Sequence, residues 1–82
     1  MTREIFYQRK NAMEALLIGY RQNPNLSTKE KESVDSLLKL LNEYDFSNRL
    51  EMKGTMSGVM IDSLHIDYAF GEKVHQFDNS IS

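Results

Sequence analysis

The sequence predicts a small all-α domain in which a helical hairpin is followed by one or two shorter helices in a bundle. Apolar residues recur with helical spacing over residues 3–21 and again over residues 28–44, and turn-forming residues around the only proline separate the two segments. A helix start signal stands directly before the second segment. A chain of 82 residues has the size of one small domain, so we expect residues 1–82 to form a single unit.

The first predicted helix covers residues 3–21. At 100° per residue, its apolar side chains share one broad arc: Ile5, Phe6, Ala12, Met13, Leu16, Leu17 and Tyr20. Arg9 lies within this arc, one turn away from Ile5 and from Met13. A charged side chain in that position must extend to solvent, pair with an acid or belong to an interface. Its place near the start of the helix favours extension to solvent, and a partner contact is the alternative.

The second predicted helix covers residues 28–44 and has the clearest start in the chain. Ser27 stands at the N-cap position and Glu30 follows three residues later, which is the spacing of a capping box. The apolar stripe behind it is strongly periodic and consists of Val34, Leu37, Leu38, Leu41 and Tyr44. Two amphipathic helices joined by so short a loop form an antiparallel helical hairpin.

The region from residue 48 to residue 70 allows two interpretations. As a helix, residues 48–61 bring Met52, Met56 and Met60 onto one ridge. As strands, residues 52–70 form a β-hairpin that turns at Asp62 and Ser63, and the domain becomes α+β. Asp-Ser makes a poor two-residue hairpin turn, because serine tolerates a positive φ badly. We favour the helix, because a stripe with helical spacing follows: Ile66, Phe70, Val74, Phe77 and Ile81.

The methionine ridge is a candidate partner contact. Methionine side chains are flexible and adapt to partner surfaces, although they also fill cores. Gly54 and Gly58 repeat the four-residue spacing and lack side chains, so another helix could approach them closely. We interpret the ridge as part core and part contact surface. The predicted partner-binding residues are Met52, Gly54, Met56, Gly58, Met60 and Arg9.

The sequence holds no motif from which we predict catalytic, cofactor-binding or metal-binding residues. Glu72 and His75 match the Glu-x-x-His spacing of helical di-iron sites, but such sites need a second copy of the motif and two further carboxylates. Ser63, His65 and Asp67 are the residue types of a catalytic triad. Their spacing of two residues holds the side chains too far apart, on a helix or on a strand, for a hydrogen-bond relay. We therefore expect neither an enzyme nor a cofactor.

Composition favours a protein-contact function in the cytoplasm. The chain has no cysteine, no apolar run typical of a signal peptide at its start, and no stretch long enough to cross a membrane. Its methionine and aromatic residues exceed what one small core hides easily. We expect a non-catalytic regulatory or adaptor module that acts through protein–protein contacts, as a homodimer, with a protein partner whose identity the sequence does not reveal.

Two other classes of function remain as alternatives. The first 21 residues carry four basic and two acidic side chains, although the net charge of the chain is −2. A small nucleic-acid-associated protein would use the basic members: Arg3, Arg9, Lys10 and Arg21. The dense basic face usual in such proteins is missing, so we do not expect this role. A metal-dependent enzyme, the least favoured class, would use the Glu-x-x-His pair.

Overall fold

A computed structural model describes residues 1–62 and 67–81, and for residues 61 and 62 it describes the backbone alone. Its helices are α1 (Arg3–Arg21), α2 (Thr28–Glu43), α3 (Arg49–Met52), α4 (Thr55–Asp62) and α5 (Tyr68–Ser80). The described residues contain no β-strand, so the predicted all-α class and the predicted helical hairpin are confirmed. The alternative β-hairpin is wrong, because its first arm falls in α3 and α4 and its second arm runs into α5. Residues 63–66 of that alternative lie outside the described residues.

Side chains at the N-cap position cap the starts of α1, α2 and α5. The Thr2 hydroxyl accepts a hydrogen bond from the backbone N–H of Ile5 at the start of α1. The capping box at α2 is confirmed: Ser27 Oγ accepts from the Glu30 N–H, and Glu30 Oε1 accepts from the Ser27 N–H, both at 3.2 Å. Asp67 caps α5 by accepting from the backbone of residue 70 at 3.1 Å. Each cap satisfies a donor that has no partner inside its own helix.

The helix predicted for residues 48–61 is divided into α3 and α4. Gly54 lies between them with a φ of 95°, a left-handed conformation that side-chain-bearing residues rarely adopt. The apolar period alone predicted one helix, because the period continues through the break. The division has its physical cause at two consecutive residues: Lys53 leaves the helical conformation with a ψ of 128°, and Gly54 follows with a positive φ before α4 begins at Thr55.

One apolar core joins the longer helices. Its fully or nearly buried side chains are Phe6, Met13, Leu17, Val34, Leu37, Leu41, Tyr44, Met56, Met60, Phe70, Val74, Phe77 and Ile81. The predicted stripe of α2 is confirmed, with Leu38 half-buried and its other members buried. The predicted arc of α1 is too broad, because Ile5 is 41% exposed and Ala12 is exposed as well. One edge of that arc therefore stays at the surface.

Among the main pairs of packed helices, α1 and α5 have the least contact with each other. α1 packs mainly on α2, α4 packs mainly on α5, and α2 contacts α4 between them. Tyr20 of α1 and Phe70 of α5 stack at 3.9 Å between ring centroids, with the ring planes 8° apart. Residues of both helices, this stacked pair included, line a groove between α1 and α5.

Candidate functional site

A groove between α1 and α5 is the candidate functional site. It consists of two adjoining cavities of about 390 Å³ and about 380 Å³, which share Leu16 and Lys73 in their linings. The other residues of the larger cavity are Arg9, Ala12, Met13, Gln76, Phe77 and Ser80. The other residues of the smaller cavity are Ala15, Gly19, Tyr20, Asp67, Ala69 and Phe70. We call the two together the α1–α5 groove.

The groove is apolar because α1 contributes small and apolar residues to one of its walls, among them Ala12 from the exposed edge of the predicted arc. Ala12, Ala15 and Gly19 are exposed and have little or no side chain, so α1 leaves the space in front of them open. The floor is provided by core residues such as Met13 and Phe77, which are 4% and 7% exposed. An open surface of this kind offers a partner both apolar contact and close approach to a helix backbone.

Two positively charged side chains, Arg9 and Lys73, line the larger cavity. Arg9 is exposed, and its Nη1 donates a hydrogen bond to the backbone carbonyl of Ser80 at 2.8 Å, so the guanidinium reaches across the end of the groove to α5. The predicted extension of Arg9 to solvent is confirmed. Lys73 is exposed on α5. Among the side chains that the structure describes, neither cation has a carboxylate at ion-pair distance. At the other end, the carboxylate of Asp67 is engaged as the cap of α5.

The predicted methionine ridge contributes more to the core than to the surface. Met56 is fully buried and Met60 is 7% exposed, whereas Met52 is half-buried against the core. The core part of the interpretation is confirmed for Met56 and Met60, and their burial leaves little of them for a partner in this fold. A partner contact at Met52 stays a prediction.

Among the described residues, no helix lies close enough to the Cα atoms of Gly54 and Gly58 to exclude a side chain there. A Cβ atom built on either residue meets no other atom within 4 Å, so the predicted close approach is wrong for the described part of the chain. The close approach occurs at Gly71 of α5, where a Cβ atom would lie 3.0 Å from Cε of Met60. Sequence reasoning missed Gly71, and nothing in its neighbours sets it apart. Whether a second chain contacts Gly54 and Gly58 stays a prediction.

A buried polar cluster joins α2, α4 and α5, and sequence reasoning missed it. The carboxylate of Asp78 is fully buried and accepts three hydrogen bonds: from the Tyr44 hydroxyl at 2.7 Å, from the Gly54 N–H at 2.8 Å and from the Ser57 N–H at 3.0 Å. The Tyr44 hydroxyl in turn accepts from the Met56 N–H at 3.1 Å. Together the two side chains cap the start of α4 from outside that helix.

The hydrogen bonds of this cluster stabilise the fold. Burial raises the pKa of Tyr44 well above its ordinary value, and the adjacent Asp78 carboxylate raises it further by accepting its hydrogen bond. The hydroxyl therefore keeps its proton and serves as a donor. A signal for the cluster was present in the sequence, because Asp78 stands four residues after Val74 and three before Ile81, inside an apolar stripe. A carboxylate in such a position needs buried partners.

The basic side chains named for a nucleic-acid role have contacts within the chain. Arg21 forms a two-pronged ion pair with Asp35 of α2, and Lys10 donates to a backbone carbonyl at the end of that helix. Arg3 lies over the ring of Phe46, 5.4 Å from its centroid. Arg9 donates one hydrogen bond to the Ser80 carbonyl and keeps its charge. The contacts of Arg3, Lys10 and Arg21 reduce what these three cations can offer to a phosphate backbone.

Among the described residues, no three side chains of the metal-binding types come together. Glu72 and His75 lie on α5, whereas Ser63 and His65 fall outside the described residues. Of the helices given above, none combines the length and the apolar character needed to pass through a lipid bilayer.

The chain matches no protein-family model, no curated protein and no solved structure. What the α1–α5 groove does is therefore inferred from its own geometry and charge.

Proposed function

We propose that the protein is a non-catalytic regulatory or adaptor module whose contact surface is the α1–α5 groove. The observation that carries this proposal is the open apolar groove, which extends along most of α1 on the side that the core leaves uncovered. Apolar surface in such a concave form is typical of a site for another protein.

The dimensions of the groove suit a helical segment. The lining residues of α1 run from Arg9 to Tyr20, which corresponds to about 16 Å of helix at 1.5 Å per residue. A helix of three turns has this length, and such a helix docks through apolar side chains on one face. Because Ala12, Ala15 and Gly19 have small side chains or none, the backbone of the docked helix can approach α1 closely.

A photo-crosslinking residue in the groove is expected to capture a protein. We expect p-benzoylphenylalanine in place of Ala12 to give a defined protein adduct in the cells that make this chain, because Ala12 lines the groove. The same residue in place of Ser36, which is exposed on α2, is the matched control and should give no such adduct. Equal adducts from both positions, or none from either, would contradict the proposal. An adduct with nucleic acid at Ala12 would favour the nucleic-acid alternative.

We also propose that the chain forms a homodimer. A single core in a chain of 82 residues is marginally stable alone. Large apolar side chains that do not line the groove are also exposed, among them Leu50 at 62% and Tyr68 at 82%. Burying such side chains between two copies would stabilise both folds.

Sedimentation equilibrium is expected to show a dimer at micromolar concentration. Replacing Leu50 and Tyr68 together by glutamine should raise the dissociation constant by about tenfold or more, because both substitutions remove apolar contact area. Lys39→Gln, on the exposed face of α2, should leave the constant unchanged. A monomer at every accessible concentration would contradict the dimer, while leaving the groove proposal open to its own test.

A further inference from the structure

The charges beside the α1–α5 groove restrict the chemistry of its partner. Every charged side chain that lines the larger cavity is a cation, namely Arg9 on α1 and Lys73 on α5. The two helices thus place one positive charge on each side of an apolar floor. The hydrogen bond from Arg9 to the Ser80 carbonyl uses one of its five donors and does not neutralise its charge. No carboxylate of the described residues pairs with either cation.

We propose that the α1–α5 groove binds an amphipathic helix of another protein, in which acidic side chains flank the apolar face. This inference rests on the proposed function and adds the chemical class of the partner. The apolar face fills the space in front of Ala12 and Leu16, and the acidic side chains reach Arg9 on one side and Lys73 on the other. Complementary charge of this kind sets the orientation of a partner and excludes wrong ones more than it adds affinity.

The described surface of the chain itself offers no such helix. The outward face of α2 carries acidic residues, among them Glu32 and Asp35, but the large apolar side chains of the described residues that stay exposed lie elsewhere: Met1, Ile5, Ile18, Leu50 and Tyr68. On α1, Ile5 and Ile18 lie far apart along the helix. The described surface of a second copy therefore lacks the apolar face with acidic flanks that the groove fits, so the proposed partner is a different protein.

Binding of two synthetic helices tests the inference. Both are helix-stapled peptides of about 14 residues, long enough to span the groove. They carry the same leucines at i, i+3 and i+7. One has glutamate and the other lysine at the positions that flank the leucines. We expect the glutamate peptide to bind the full chain at least about tenfold more tightly at low salt, and to shift the backbone NMR signals of Ala12 and Leu16. The preference should shrink as salt is added.

Charge reversal provides the second arm of the test. The double variant Arg9→Glu/Lys73→Glu should bind the lysine peptide better than the glutamate peptide. Lys29→Glu/Lys39→Glu changes the net charge equally on α2, away from the groove, and should keep the preference for the glutamate peptide. Equal binding of the two peptides, no binding of either, or reversal by the α2 variant as well would overturn the inference.

The failure of this inference can be told apart from failure of the proposed function. A protein adduct at Ala12 together with peptides that bind without charge preference would leave the groove as a contact surface and remove the acidic partner. An adduct at Ala12 that consists of two copies of this chain would assign the groove to self-association and overturn the inference in the same way.

Discussion

Asp78→Ala is expected to lower the free energy of unfolding by about 3–5 kcal/mol. The substitution removes a buried carboxylate that accepts from the Tyr44 hydroxyl and from the backbone N–H groups of Gly54 and Ser57. Hydrogen bonds to a charged group contribute more than neutral ones, and each donor left buried without a partner is itself costly. Since a domain of this size has a stability of about 4–12 kcal/mol, Asp78→Ala should remove a large share of that stability. Urea denaturation followed by circular dichroism measures the loss.

Two milder variants keep the prediction testable if Asp78→Ala does not fold. Asp78→Asn retains one acceptor oxygen and should cost about 1–3 kcal/mol. The cost arises because the NH₂ group of asparagine would stand opposite a hydrogen-bond donor, where the carboxylate offered an acceptor. Tyr44→Phe removes one donor and one acceptor and should cost about 1–2 kcal/mol. Asn79→Ala, the exposed neighbour on α5, is the control and should change stability by less than about 0.5 kcal/mol. Values for the Asp78 variants as small as that of the control would show that the cluster does not hold α4 in place.

This cluster also explains how α4 stays folded although it is short and contains a glycine. α4 begins after a glycine, and its own sequence supplies no side-chain cap of the Ser27 kind. The caps come from α2 and α5, so the start of α4 is fixed only when those two helices are already in place. The same α5 presents Phe77, one residue before Asp78, to the floor of the groove. Loss of the cluster should therefore disturb the α1–α5 groove from its α5 side.

Features that depend on nearby residues were predictable from the sequence. The capping box of Ser27 and Glu30 involves residues three apart, and helical periodicity identified the buried stripe of α2 because only one side of that helix is apolar. In α1 the apolar arc is wider than the space available against α2. Packing then decides which edge is covered, and it leaves Ala12 exposed and buries Met13. The position of the groove depends on this packing, which the local sequence pattern does not specify.

The polar cluster and the break between α3 and α4 depend on the fold and could not be predicted in full from the sequence. Asp78 was detectable as a carboxylate within an apolar stripe, but its partners lie 21 to 34 residues away in the sequence, so their identity depends on the fold. Gly54 and Gly58 are equivalent by spacing, and helical periodicity treats them alike. Only the backbone conformation distinguishes them, because one has a positive φ and the other lies inside α4.

Substitution of these two glycines by alanine is expected to change stability in opposite directions. Gly54→Ala should lower the free energy of unfolding by about 1–2 kcal/mol, because an alanine with a φ of 95° is strained even where space is free. Gly58→Ala should raise it by up to about 1 kcal/mol, since alanine favours the helix and its methyl group meets no atom within 4 Å. Urea denaturation of both variants at one protein concentration measures the difference.

Gly19→Ala is the matched control for helix propensity. Gly19 also lies inside a helix with open space in front of its Cα, so this variant should gain about as much stability as Gly58→Ala. A loss of stability at Gly58 beside a gain at Gly19 would mean that a second chain packs closely against α4, because no other part of the described chain does so. That loss should then grow smaller as the protein is diluted and the dimer dissociates. A gain at both positions, with a loss at Gly54 alone, places the strain at the junction between α3 and α4 and leaves the outer face of α4 free.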